Sequence, residues 1–357
     1  MLKCKKLQPG DKVAIVSLSS GILGEDFCSH YIQLGTSRIR EFGLEPVFMR
    51  HALDGVKTIE DHPELRAEDL KAAFLDDEIK GIICAIGGQD TYRTVKYLLE
   101  DEEFKTAVRT DPKLFTGFSD TTVNHLMFYK LGLTTYYGPS YINDFADASK
   151  SMLSYTSEAV SDYFMGRDVT KKIVSSDLWY EERKDFSPKS LGADRVSHIE
   201  SHGFELVQGE DGFTGRLLGG CLESLYELLT GDHDIEQKYC NDAYHLIPEA
   251  DGWKDKILFI ETSEEKPDET QYRKYLRALK EKGIFQNIAG IIHGKPQDEV
   301  GYEVYKKALV QEVDDESLPI VFNVNFGHAY PRTILAYGTK VFVSTEGIEY
   351  LESPIEY

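Results

Sequence analysis

Short apolar runs of strand length alternate with stretches of helical period through the first half of the chain, and this alternation is its strongest folding constraint. KVAIVSL (12–18) reads as a buried strand, and SHYIQLGTSRIREFG (29–43) as a helix closed by Gly43. LEPVFM (44–49) returns as a strand, and RAEDLKAAFLDD (66–77) places Leu70, Ala73 and Phe74 on one helical face. GIICAIGG (81–88) is a strand running into two glycines, DTYRTVKYLLE (90–100) is a helix, and KLFTGF (113–118) is the next strand. Such alternation predicts an α/β fold with a doubly wound, mainly parallel sheet. Ligands on these sheets sit beyond the carboxyl ends of the strands. Both Gly87-Gly88 and Ser119 fall at such ends.

The second half repeats the theme after an interruption. Residues 150–210 are polar and charged, with fading periodicity after SMLSYTSEAVSDYFMG, and Leu178, Trp179 and Tyr180 read as exposed loop residues in DLWYEERKDF. A long connection of this kind is usually functional or a linker. Order resumes in GFTGRLLGGCLESLYELLTG (212–231), a glycine-rich entry into a helix. KILFIET (256–262), IAGIIHG (288–294) and LPIVFNVNFGH (318–328) supply further strands, and the end is β-rich. The expected division is an N-terminal domain over 1–165, a connecting and substrate loop over 166–210, and a C-terminal α/β domain over 211–357. At 357 residues, two domains fit the usual size range.

Charge and cysteine content narrow the function classes. The formal net charge of -21 repels polyanions, so nucleic acid is not an expected partner. The five cysteines are scattered without C-x-x-C spacing, against a disulfide framework or a zinc site. The N-terminal segment turns at Pro9-Gly10 before a strand-length apolar run, which fits neither a signal peptide nor a membrane span. These features lead to an expected cytoplasmic location. No metal motif, P-loop or G-x-G-x-x-G occurs, and no cofactor or metal is expected.

The sharpest chemical feature is Ser119, on an abrupt strand-to-helix change in KLFTGFSDTTVNHLMFYKLG. It could be a helix N-cap, where serine is common, or a nucleophile. A nucleophilic serine needs a base within hydrogen-bonding reach, oriented by a third group. Two histidines lie at or near the ends of apolar strands: His293 in GIIHGKP and His328 in VNFGHAYP, the latter after Gly327. Either could be a structural histidine. Glu261 shares a strand face with Ile257 and Phe259, and a carboxylate buried there needs a partner. Trp179 could pack under its loop or face a ligand.

Taken together, these segments resemble the LD-carboxypeptidase family of serine peptidases over nearly the whole chain. LQPGDKVAIVSLSSG resembles the opening strand, with Leu18 where proline is usual, and RAEDLKAAFLDDEIKGIICAIGGQDTYR resembles the helix, strand and Gly-Gly turn. GFSDTT is similar to the nucleophile segment, and ILFIETSEEKP and NVNFGHAYPRTILAYG to the segments carrying glutamate and histidine. GRLLGGCLESL resembles G-x-L-x-G-G-N-L, with Cys221 in place of asparagine. The resemblance implies a triad of Ser119, Glu261 and His328, an active site between the domains, and an oxyanion hole from the backbone of Gly88 and Asp120. It also implies substrate contacts at Gly87, Trp179, Gly220 and Cys221, and a homodimer. Of two branches, one removes D-alanine from murein tetrapeptides. The other, the microcin C immunity branch, cleaves the amide joining a peptidyl or aminoacyl group to a nucleotide-like moiety. The long 150–210 connection and Trp179, where that branch has a base-stacking aromatic, favour the second. A different class also remains open: a non-catalytic small-molecule-binding protein with Ser119 as a cap.

Overall fold

The computed structural model describes residues 1–356. The chain forms two compact units. The first comprises Met1–Val169, Arg183–Arg195 and the C-terminal residues from Pro354; the second comprises Thr170–Glu182 and Val196–Ser353.

The first unit is built on parallel strands β1 (Lys12–Val16), β2 (Glu45–Phe48), β3 (Ile79–Cys84), β4 (Leu114–Gly117) and β5 (Tyr136–Tyr137). Every pair is parallel, in the order β2-β1-β3-β4-β5. The order reverses between β1 and β3, the switch point where loops diverge and leave a crevice in doubly wound sheets. The strands read as continuous apolar runs because both faces are covered: Val13, Ala14, Ile15 and Val16 are fully buried, as are Leu114 and Phe115. Helices Ser29–Glu41, Pro63–Leu75, Glu102–Thr110 and Thr122–Leu131 lie in the crossovers, with Pro63 at the first turn of its helix and left-handed Gly132 (φ 85°) ending the last.

Segment Arg183–Arg195 belongs to this unit for an electrostatic reason. Asp147 accepts Arg183 at 3.5 Å and Arg195 at 2.7 Å, with all three side chains at 8% exposure or less. Burying one partner unpaired would cost several kcal/mol (about 3–5), so the cluster anchors the segment.

The second unit carries β6 (Leu178–Tyr180), β7 (Ser197–Ile199), β8 (Glu205–Gln208), β9 (Phe213–Cys221), β10 (Lys256–Glu261), β11 (Gly290–Gly294) and β12 (Ile320–Val324). Strands β9-β10-β11-β12 are parallel neighbours. β8 adds antiparallel at one edge, and the hairpin Lys340–Ser344/Gly347–Tyr350 at the other. β6 and β7 pair as a separate antiparallel ribbon within the segment read as a structureless connection. Leu178, Trp179 and Tyr180 are half-buried on that ribbon rather than exposed on a loop. Among the described residues, no helix is long and apolar enough to cross a membrane.

Candidate active site

In the first unit, the functional groups collect at the carboxyl ends of β1, β3 and β4. Ser119 follows β4 after Phe118 and has φ 64°, a left-handed backbone that a non-glycine residue adopts at a cost. It opens a short 3-10 turn, Ser119–Thr121, and the α-helix begins at Thr122. The N-cap of that helix is Thr121, and no side chain caps it. Ser119 is therefore not the helix cap that its sequence position allowed. Its own backbone N–H donates to the Tyr137 hydroxyl at 3.0 Å, which fixes the strained turn.

The two glycines after β3 have separate steric reasons. A Cβ on Gly87 would stand 2.8 Å from the Cβ and 3.0 Å from the Oγ of Ser119, so only glycine lets the chain pass this close. A Cβ on Gly88 would stand 2.3 Å from the Oγ of Ser19. Asp120 ties these loops together: its buried carboxylate accepts from Ser19 Oγ at 2.6 Å and from the N–H of Thr91 at 2.9 Å. Burial pushes that carboxyl up to about 6, against the pull of both hydrogen bonds. Beneath, fully buried Arg66 donates to Asp90 through both Nη atoms and to the carbonyl of Leu18. The loops after β1 and β3 and the serine turn thus form one braced set.

In the second unit, Glu261 ends β10 and is completely buried. His328 follows β12 by way of Gly327, which has φ 81°. A Cβ on Gly327 would come within 2.3 Å of the Glu261 carboxyl carbon, so glycine there leaves room for the acid. One carboxylate oxygen of Glu261 accepts twice from His328, from Nδ1 at 2.8 Å and from the backbone N–H at 3.1 Å. The ring is held by one nitrogen with the other, Nε2, directed away; Nε2 meets Glu264 at 3.0 Å. Burial alone would lower the basicity of His328, but Glu261 and Glu264 together outweigh it and raise its pKa to about 10. The hydrogen bond from His328 in turn pulls Glu264 down to about 2.

Cys221 is the register partner of Glu261 across β9 and β10, which places both on the same side of the sheet. Its thiol donates to Glu223 at 3.3 Å, and Glu223 also accepts from the N–H and hydroxyl of Ser263, each at 2.9 Å. Burial first, and the charge of Glu261 second, push Glu223 up to about 7. Burial likewise keeps the Cys221 thiol protonated, raising it well above its ordinary value. Gly219, two residues earlier, has no room for a side chain: a Cβ would stand 1.8 Å from the carbonyl oxygen of Phe259. Gly220 follows with φ 138° and leads the strand into Cys221. A ligand atom from each of Cys221, Glu261 and His328 lies within 4.8 Å of the others. Glu261 is hydrogen-bonded to Nδ1 of His328, and the Cys221 thiol to Glu223.

His293 has a different setting. Its Nδ1 donates to the carbonyl of Gly294 at 2.6 Å, and its Nε2 accepts from Tyr272 Oη at 2.9 Å. The ring stacks on Phe322 at 4.5 Å between centroids, and burial lowers its pKa to about 4. Both nitrogens are engaged by neutral groups. Trp179, on β6, stacks on His198 of β7 at 4.2 Å and 18°, with the Lys295 ammonium 5.2 Å from its centroid.

Sequence reasoning did not single out Ser19, Tyr137, Glu223 or Glu264. For Glu264 a signal existed, an acid three residues after Glu261 in IETSEE. The others depend on which loops meet, and no local pattern carries that information.

Comparison with known proteins gives the assignment. The LD-carboxypeptidase N-terminal domain matches residues 13–138, and the LD-carboxypeptidase C-terminal domain matches residues 214–343. An MccF-like protein from Streptococcus pneumoniae, solved in complex with AMP, is 45% identical, with a TM-score of 0.91 over 96% of this chain and 98% of that one. The microcin C7 self-immunity protein MccF of Escherichia coli is 25% identical over 78% of this chain and 75% of its own length. A Bacillus subtilis protein described as a probable murein peptide carboxypeptidase is 26% identical over 78% of this chain and 73% of its own. The two domain matches, in order and over most of the chain, place it in the LD-carboxypeptidase family of serine peptidases, as a peptidase-type hydrolase.

Proposed function

We propose that the protein is a serine amidase that hydrolyses the amide of a small aminoacyl- or peptidyl-nucleotide conjugate, using Ser119, Glu261 and His328. The observation that carries this reading is the Glu261–His328 pair: a buried acid fixes Nδ1 and the backbone N–H of one histidine, so that proton transfer falls to Nε2, the nitrogen that meets Glu264. In the first step Ser119 Oγ attacks the amide carbonyl while its proton passes to Nε2. Backbone N–H groups of Gly88 and Asp120 stabilise the oxyanion, and loss of one such donor typically costs about 3 kcal/mol of barrier. His328 then gives the proton to the departing nitrogen, the C–N bond breaks and an acyl-enzyme remains. Water, deprotonated by His328, attacks the ester, and Ser119 recovers its proton as the acid leaves. Glu261 stabilises the imidazolium in both halves.

The nucleotide part of the reading rests on the 45% identical protein solved with AMP and on the Trp179–His198 stack. An indole already paired with an imidazole is a platform that a nucleobase could extend. Gly87, Gly220 and Cys221 line the approach in this reading, with the thiol standing where the family pattern has an amide side chain. The test is turnover of an aminoacyl-sulfamoyl-adenosine and of an L,D-tetrapeptide by wild type and Ser119→Ala. Cleavage of the first substrate, lost in Ser119→Ala by at least ~10^4-fold, is the expected result. Equal activity in both proteins would sink the nucleophile, and cleavage of the tetrapeptide alone would move the substrate to murein.

A further inference from the structure

His328 lies between two carboxylates, with Nδ1 on Glu261 at 2.8 Å and Nε2 on Glu264 at 3.0 Å. A carboxylate accepts and does not donate, so both ring nitrogens must carry protons and the ring is an imidazolium. An imidazolium cannot take a proton from a serine. The two acids are not equivalent: the Glu261 side chain is 1% exposed and also bound to the backbone N–H of His328, whereas that of Glu264 is 65% exposed. One carboxylate is fixed and the other can leave.

The turn that presents Glu264 is anchored on both sides. Ser263 is held by Glu223 through its N–H and hydroxyl, and Lys266 (φ 50°) pairs with Asp298 at 2.6 Å. The N–H of Lys266 closes the turn on the carbonyl of Ser263. Glu264 stands between these anchors and reaches the ring. The other charged or titratable groups around His328 are Glu223, the protonated Cys221 thiol and Arg332, which donates to the His328 carbonyl at 3.4 Å.

We propose that Glu264 is a displaceable plug on the catalytic base: it holds His328 as a doubly donating imidazolium, and must leave Nε2 before Ser119 can be deprotonated. The proposal rests on the reading of His328 as the base for Ser119. Glu264 is in this sense a positioning residue that acts through His328. It sets the pH at which the base becomes available.

The experiment combines the pH profile of kcat/KM with an NMR titration of the His328 ring in wild type, Glu264→Gln and Glu264→Asp. An opposite charge this close shifts a pKa by roughly 1–3 units, and water around exposed Glu264 puts the effect near the low end. Glu264→Gln is therefore expected to move the acidic limb and the ring titration down together by about one pH unit. On the rising limb, that is a gain of about tenfold in kcat/KM. Glu264→Asp restores the limb toward wild type. A limb and a ring titration that both stay put in Glu264→Gln overturn the proposal, as does a uniform loss at every pH, which would mark a purely structural role. The ring titration needs no substrate, so failure of the proposed reaction and failure of the plug are read separately.

Discussion

His293 and His328 stand in similar places and have opposite chemistry. His293 lies near the end of β11 and His328 shortly after β12, each is buried, and each ring has a hydrogen-bond partner on both nitrogens. At His293 the partners are a backbone carbonyl and a tyrosine hydroxyl, and burial wins: the ring is neutral, with its pKa lowered to about 4. At His328 the partners are carboxylates, which overcome the same burial and carry it up to about 10. Burial is thus common to both sites and decides nothing by itself. The sign of the shift follows from whether a charged acid is given room beside the ring, and here the room is made by a glycine.

The sharpest way to break the comparison is to delete each ring. His328→Ala should lower kcat by ~10^4-fold, the loss expected when a base and its oriented proton path are removed together. His293→Ala should leave kcat of the folded protein within a few-fold. It should cost stability instead, about 3 kcal/mol, through the lost stack on Phe322 and the unsatisfied Tyr272 hydroxyl. Steady-state kinetics beside urea denaturation separates the two outcomes. Comparable kinetic losses in both variants would mean that His328 has no special role.

A smaller lesion tests the glycine. Gly327→Ala keeps both rings but places a methyl where the Glu261 carboxyl sits, at a backbone φ of 81° that alanine adopts only with strain. The acid must swing away from Nδ1, and kcat/KM should fall by ~10^2-fold with KM nearly unchanged. The NMR titration of His293 should stay as in wild type. If Gly327→Ala is as active as wild type, the fixed acid is not needed for orientation.

These sites differed in how far the chain disclosed them. The parallel strands were legible because burial on both faces makes runs such as KVAIV and ILFIE apolar along their whole length. Ser119, Glu261 and His328 stood out because each is a polar residue at the end of such a run, where polarity is costly unless paired. The local pattern left His293 and His328 both open, and only the family resemblance pointed to His328, since their settings depend on Tyr272, Gly294 and Glu264, none of which advertises its partner. The Asp120–Ser19 bond spans 101 residues and was equally hidden. The β6–β7 ribbon escaped because β6 is only half-buried and β7 mostly exposed, which leaves no apolar alternation to find. Arg183 and Arg195 lie in a stretch read only as polar and charged, yet a shared Asp147 makes them interior.

The finest contrast is in the direction of pH dependence. For His293 the folded pKa of about 4 lies below the ordinary 6.5, so between these values the unfolded chain binds a proton that the folded one does not. Its contribution is complete above 6.5 and is lost as pH falls toward 4. For His328 the folded pKa of about 10 lies above 6.5, so its contribution is complete below 6.5 and is lost as pH rises toward 10. Acidification from about pH 6.5 to 5 should therefore shrink the stability gap between wild type and His293→Phe by on the order of 2 kcal/mol. Over that window His328 is protonated whether the chain is folded or not below its ordinary value, so it adds little slope, and its turn comes only in alkali. Denaturant midpoints collected across pH 5–10 for wild type and His293→Phe read both windows. A gap that widens on acidification would mean that His293 is charged in the folded protein, and the distinction between the two histidines would then rest on geometry alone.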